Sequence, residues 1–280
     1  MNLNVTGRVA VVTGASRGLG AGLAVHFAAS GMHLGLCARH RPRLVARTRP
    51  TAQGGHIVSS ETPVLSAFDV TDRGALARFA DAVVDRFGRI DLWVNNAGLL
   101  GPIAPLALAD GAEVARALEV NVIGVANGSA VFAKHVRDRP GRGTLVNVTS
   151  GAATKAYEGW AAYCASKAAV DQLTRVVALE ETRHGLSAYA VSPGLVDTDM
   201  QTTIQGADPE WFPERERFRR VAELQQFNSP GWVAEHILEL AFGPSHVPGR
   251  PESVTLRIPD QPMTSPASPS GSPSPSGLAR

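Results

Sequence analysis

The chain has 280 residues, 44% of them hydrophobic and 19% charged, which suits one large α/β domain or at most two small ones with a sizeable core. A formal net charge of +2 argues against nucleic acid or a membrane surface as partner, and no apolar run reaches the roughly 18 residues that a membrane span needs. The two cysteines, Cys37 and Cys164, sit in apolar or helical surroundings and read as packing residues, not as a disulfide or a metal site. The N-terminus runs straight into a strand pattern without a basic and then apolar leader, so a cytosolic protein is expected.

Arg8–Thr13 is a short continuous apolar run, as in a strand buried on both faces of a parallel sheet. It leads into Gly14-Ala15-Ser16-Arg17-Gly18-Leu19-Gly20 and then a helical pattern through Leu23, Phe27 and Ala28. Strand, glycine loop and helix in this order suit a pyrophosphate: glycine lets the backbone approach closely, and the helix start supplies N–H groups and positive dipole. A second strand, His33–Ala38, ends at Arg39. An acidic residue there selects NAD through the adenosine ribose, whereas arginine accommodates a 2′-phosphate. Ala38 stands where the acid belongs, so NADP(H) is expected, the alternative being that Arg39, Arg41, Arg43, Arg47 and Arg49 form a solvated basic face.

Pro42 opens a possible helix that Pro50 and the run 51–55 cut short. A strand over Val64–Phe68 leads to Asp69-Val70, and Asp72 is expected to cap a helix that keeps Leu76, Phe79, Ala80 and Val83 on one face until Gly88. Ile90–Val94 is the fourth strand and delivers Asn95-Asn96-Ala97-Gly98 to the carboxyl edge of the sheet, where ligands bind in open α/β folds. Ala97 and Gly98 read as cofactor wall, and Asn95 either braces the sheet or touches the ligand. Helical patterns follow from about Asp110 to Arg137 and carry Asn121.

The strand Thr144–Val148 ends beside Ser150, and the segment from about Trp160 carries Tyr163 and Lys167 at helical i,i+4 spacing. A lysine ammonium beside a tyrosine favours the phenolate and lowers a pKa that is ordinarily about 10. Tyr163 can then exchange a proton with an alcohol oxygen, and Ser150 can hold that oxygen as charge develops on it. Tyr157 and Tyr189 lack such a lysine.

The spacing Gly14-x-x-x-Gly18-x-Gly20, together with Tyr163-x-x-x-Lys167, resembles the short-chain dehydrogenase/reductase family in its single-domain branch. Asn95-Asn96-Ala97-Gly98, Asn121, Ser150, Pro193-Gly194 and Thr198 follow in that family's order, and the resemblance runs from about Gly7 to Val196. It implies a doubly wound, mainly parallel, Rossmann-like α/β fold with helices on both faces, binding a nicotinamide dinucleotide. It gives Asn121 a proton-relay role beside Ser150, Tyr163 and Lys167, Arg17 a place beside Arg39 at the 2′-phosphate, Asp69 a contact with adenine, and Thr198 a bond to the cofactor. Ser16, Leu19, Val70, Pro193, Gly194 and Val196 complete the implied cofactor wall, and a dimer or tetramer is implied as well.

After Asp199 the pattern fades. Residues 199–227 read as a lid over the substrate or as ordinary surface helices. Ser229-Pro230-Gly231 starts a helix to Phe242, and Ser253–Ile258 reads as a last strand. The domain is expected to span residues 1–259, and the Pro/Ser-rich segment 260–280 to be disordered. The expected function is hydride transfer between NADP(H) and a carbonyl or secondary alcohol, most simply ketone reduction. The alternatives are an NAD-dependent alcohol dehydrogenase of the same fold or a non-catalytic nucleotide-binding regulator. No metal, nucleic acid or membrane is expected as partner.

Overall fold

The computed structural model describes residues 3–44, 49–50, 56–57, 62–139, 141–244 and 255–262. Seven parallel strands form one sheet in the order β5-β2-β1-β6-β7-β8-β9: β1 is Val9–Thr13, β2 His33–Ala38, β5 Val64–Ala67, β6 Leu92–Asn95, β7 Gly143–Val148, β8 Leu186–Ser192 and β9 Thr255–Arg257. The short pair β3 (Arg49–Pro50) and β4 (His56–Ile57) is antiparallel and separate. The helix expected after Pro42, and the tail from 263 onward, lie largely outside the described residues, as do the first two positions of the expected last strand.

The apolar strands alternate between two cores. In β1, Ala10 and Val12 face one side while Val9 and Val11 face the other; in β6, Leu92 and Val94 oppose Trp93. The first side packs against α1 (Gly18–Ala29) and α8 (Pro230–Phe242), and the second against α2 (Arg73–Phe87) and α4 (Gly124–Arg137). Continuous apolar runs are what such two-sided burial demands. The expected cap of α2 is present: the Asp72 side chain accepts from the Ala75 amide, the buried positions are Leu76, Phe79, Ala80 and Val83, and Gly88 ends the helix with φ 80°.

From β1 the chain moves outward through β2 to β5, then crosses to β6 on the other side of β1. This reversal opens a crevice at the carboxyl ends of β1 and β6, where α/β sheets of this kind bind ligands. Beyond β8 come α6 (Asp199–Gln205) and α7 (Arg215–Glu223), two short helices in the region read as a lid. Among the described residues no helix is long and apolar enough to cross a membrane, and no cluster of His, Cys, Asp and Glu could hold a metal ion.

Candidate active site

The loops after β1 and β6 touch at the crevice. A β-carbon on Gly14 would lie 2.8 Å from Ala97 Cα, and Gly14 has φ +67°, so both space and backbone call for glycine. The Asn96 side chain fixes the junction, donating to the carbonyls of Thr13 (3.0 Å) and Gly14 (3.3 Å), while Thr13 Oγ1 accepts from the amides of Asn96 and Ala97. Gly18 follows with φ +55° and abuts Thr198. α1 starts here with no side-chain cap and no acidic residue in its first turn, leaving its N–H groups and positive dipole available to an anion. This cradle suits a dinucleotide pyrophosphate.

At the same edge, α5 (Ala161–Glu181) presents Tyr163 and Lys167 on its buried face. Lys167 Nζ donates to the Val148 carbonyl at 2.9 Å, lies 5.6 Å from the Tyr163 ring centroid, and is 3.8 Å from where a β-carbon on Gly98 would sit. Ser150, just past β7, hydrogen-bonds the Tyr163 hydroxyl and accepts from the Ala152 amide at 3.2 Å. Thus Ser150, Tyr163, Lys167 and the Asn96-Ala97-Gly98 turn share one edge of the sheet.

The proton affinities correct an expectation. Burial pushes Tyr163 up to about 12, the Ser150 hydrogen bond only partly opposing it, and burial pushes Lys167 down to about 8, with the Asp171 carboxylate pulling the other way. Burial sets the direction at Tyr163, opposite to the lowering expected from a neighbouring ammonium. Tyr163 therefore keeps its proton at neutral pH.

Asn121 is fully buried in a single turn of π-helix, Glu119–Ile123, between α3 (Gly111–Leu118) and α4. Its Oδ1 accepts from the Leu99 amide (2.7 Å), and its Nδ2 donates to the Leu99 carbonyl (2.8 Å) and to Ser166 Oγ (3.0 Å). Ser166 in turn donates to the Tyr163 carbonyl at 2.8 Å. Asn121 thus pins the turn that follows Gly98 and couples it to the backbone of Tyr163.

Three of the residues expected at the cofactor have side-chain partners within the protein. Asn95 does not offer its side chain to the crevice: Oδ1 accepts from Trp93 Nε1 and Nδ2 donates to Asn147 Oδ1, both at 2.8 Å, within a buried network that also takes in Ser129. It braces the sheet. Asp69 is already engaged, its carboxylate accepting from Thr71 and pairing with Arg116, which hold it below the usual carboxylate range. Arg17 turns to Asp199, which its guanidinium meets at 2.8 Å. Arg39 is exposed and has no ion-pair partner among the described residues.

Pro193, Gly194, Val196 and Thr198 follow β8 at the same carboxyl edge. Asn228 secures them, donating to the Pro193 carbonyl at 2.9 Å and bridging Val196. Val70 packs on Gly124. Ser16 is exposed and Leu19 half-buried on the cradle.

The segment read as a lid packs over Tyr163, and the sequence did not give its pairings. Trp160 stacks on Phe212 (centroids 4.5 Å apart, 17° between planes) and meets Tyr163 edge-on at 5.5 Å. Tyr157, Phe218, Leu100 and Ile204 complete this apolar cluster. Lys155–Glu214 and Arg217–Glu214 ion pairs rim it. The aromatic residues were visible as a scatter in sequence, but no periodicity joins positions 157–163 to 212–218. A separate cavity of about 280 Å³, lined by Tyr189, His236, Leu256 and Pro259 among others, shares none of these residues, and no reacting group lines it.

The model of the short chain dehydrogenase family matches residues 8–208. The benzil reductase ((S)-benzoin forming) of Bacillus subtilis (strain 168) is 31% identical over 233 residues, covering 82% of this chain and 91% of that protein. The NADPH-dependent pterin aldehyde reductase of Arabidopsis thaliana is 32% identical over 205 residues, covering 73% and 81%. The crystal structure of the KRED1-Pglu enzyme superposes with a TM-score of 0.73 at 31% identity, over 87% of this chain and 99% of that one. This chain belongs to the short-chain dehydrogenase/reductase family, whose members are oxidoreductases acting on CH–OH and C=O groups.

Proposed function

We propose that the protein is an NADP(H)-dependent carbonyl reductase acting on a ketone with an apolar, preferably aromatic, substituent. The observation that carries this reading is Tyr163, kept protonated by burial and hydrogen-bonded to Ser150, with Lys167 on the same helical face. When bound in the cradle, a reduced nicotinamide supplies a hydride. Tyr163 gives its hydroxyl proton to the carbonyl oxygen and is left as phenolate, which Lys167 stabilises from the side facing Gly98. Ser150 orients the same oxygen. Asn121 holds the turn on which Gly98 and Leu99 stand. The apolar cluster around Trp160 and Phe212 packs beside Tyr163 and gives the site an apolar flank, and the name of the Bacillus relative, benzil reductase, supports that substrate class.

Support for NADP(H) comes from Arg39 at the end of β2, from Ala38 where an acid would select NAD, and from the NADPH-dependent plant relative. One observation favours NAD instead: Arg17, the second cation of the argument, is paired with Asp199. Initial rates of NADPH and NADH oxidation with an aromatic 1,2-diketone, a simple aryl ketone and an aldehyde test the reading. Tyr163→Phe should cut the reduction rate by about 10²–10⁴-fold while leaving dinucleotide affinity intact. Retained reduction by that variant would end the proposal.

A further inference from the structure

Arg17 lies in the glycine loop and Asp199 opens α6, 182 positions further on, yet Arg17 NH1 and Asp199 Oδ2 meet at 2.8 Å. A neighbouring contact doubles the join: a β-carbon on Gly18 would lie 3.2 Å from Thr198 Cγ2. From this junction α6 carries Ile204 into the apolar cluster that contains Tyr163, Trp160 and Phe212. One ion pair therefore links the loop facing the dinucleotide to the segment roofing Tyr163.

A guanidinium binds phosphate and carboxylate alike, and a carboxylate already on Arg17 offsets the positive charge that a phosphate would meet there, so the two anions compete for it. The pair is open to exchange, since the two side chains are 68% and 74% exposed, and an exposed pair is weak. We propose that Asp199 is a specificity-determining residue: it competes with a phosphate group of the dinucleotide for Arg17, so that cofactor affinity and the docking of α6 are coupled. Because the coupling is a free energy between two sites it runs both ways, and a phosphate that captures Arg17 loosens the start of α6. The inference rests on the reading of the glycine loop as a dinucleotide cradle.

Titration calorimetry with ADP-ribose and 2′-phospho-ADP-ribose tests it without any redox turnover. Asp199→Asn in the full chain should tighten at least one of these probes by about two- to fivefold, the worth of an exposed ion pair. In an Arg17→Gln background the same substitution should change nothing. A gain confined to the 2′-phosphorylated probe assigns the competing group to the 2′-phosphate, and an equal gain on both assigns it to the pyrophosphate. Unchanged or weakened binding of both probes by Asp199→Asn, or an equal gain without Arg17, would overturn the inference while leaving the proposed function standing. Failure of the unsubstituted protein to bind either probe would remove the cradle reading and the inference together.

Discussion

Trp160 and Phe212 stack face to face 4.5 Å apart, one just ahead of the helix that carries Tyr163 and the other between α6 and α7. Phe212 is fully buried, although the segment around it is rich in exposed charges. Replacing it by alanine removes the ring that holds this segment onto the roof. Core Phe→Ala changes cost about 3–5 kcal/mol; here part of that is absorbed by local opening of residues 199–227. Phe212→Ala should therefore raise KM for an aromatic ketone while lowering the melting temperature by less than a full core Phe→Ala loss would, and Phe212→Leu should keep both near the parent values. Steady-state kinetics beside thermal unfolding separate the two effects, and an unchanged KM in Phe212→Ala would count against a roof that shapes the substrate site.

Lys167 and Tyr163 give the site a defined pH dependence. Burial lowers Lys167 from 10.5 to about 8 and raises Tyr163 from 10.0 to about 12. With rising pH, Lys167 loses its charge first, so kcat/KM for reduction should be level below pH 7 and fall through a midpoint near 8, long before Tyr163 ionises. The stability effects have opposite signs. Between about pH 8 and 10.5 the unfolded chain binds the extra proton at lysine, and stability from this group rises with pH; between 10 and 12 the folded protein holds the extra proton at Tyr163, and that stability is lost. Lys167→Arg, which stays charged, should remove the inflection near pH 8 from whatever activity it retains. An unchanged inflection in that variant would assign it to another group.

Much of this arrangement was legible in the sequence because it is local. The α2 cap and its four buried positions follow from Asp72 and a 3.6-residue period, and the strands announce themselves as apolar runs because both faces are covered. The i,i+4 spacing of Tyr163 and Lys167 puts them on one face wherever the helix packs. What the sequence hides is set by partners far along the chain. The π-turn at Asn121 holds a side chain that makes two bonds to the Leu99 backbone, the Arg17 partner is 182 residues away, and the Tyr163 ring is buried in a cluster that draws on residues from 100 to 218. Spacing predicted an ammonium-lowered phenol; burial, which spacing does not report, reverses the sign.

Arg39 follows the last residue of β2, at the carboxyl edge of the sheet, and is exposed. A charge-assisted contact to a phosphate is worth about 1.5–3 kcal/mol, which corresponds to roughly 10–150-fold in affinity. Arg39→Asp should weaken NADPH by about that factor and leave NADH within about twofold, since an acid at this position can instead accept from the ribose hydroxyls. Fluorescence titration of both reduced cofactors measures the ratio directly. An untouched NADPH affinity would assign 2′-phosphate recognition elsewhere.

Asn121 supports the site from beneath. It satisfies both the amide and the carbonyl of Leu99, and also meets Ser166, whose own proton goes to the Tyr163 carbonyl. Asn121→Ala leaves these backbone groups without their partner in a fully buried place, at about 1–3 kcal/mol for each group left unpaired. Asn121→Asp is no rescue, because its second oxygen would face the Leu99 carbonyl where the amide now donates. Both variants should shift the urea midpoint downward by the equivalent of about 2 kcal/mol or more, and both should weaken dinucleotide binding, since the turn at Gly98 and Leu99 loses its anchor. If Asn121→Asp matched the parent protein in midpoint and affinity, the Leu99 clamp would not be what the residue contributes.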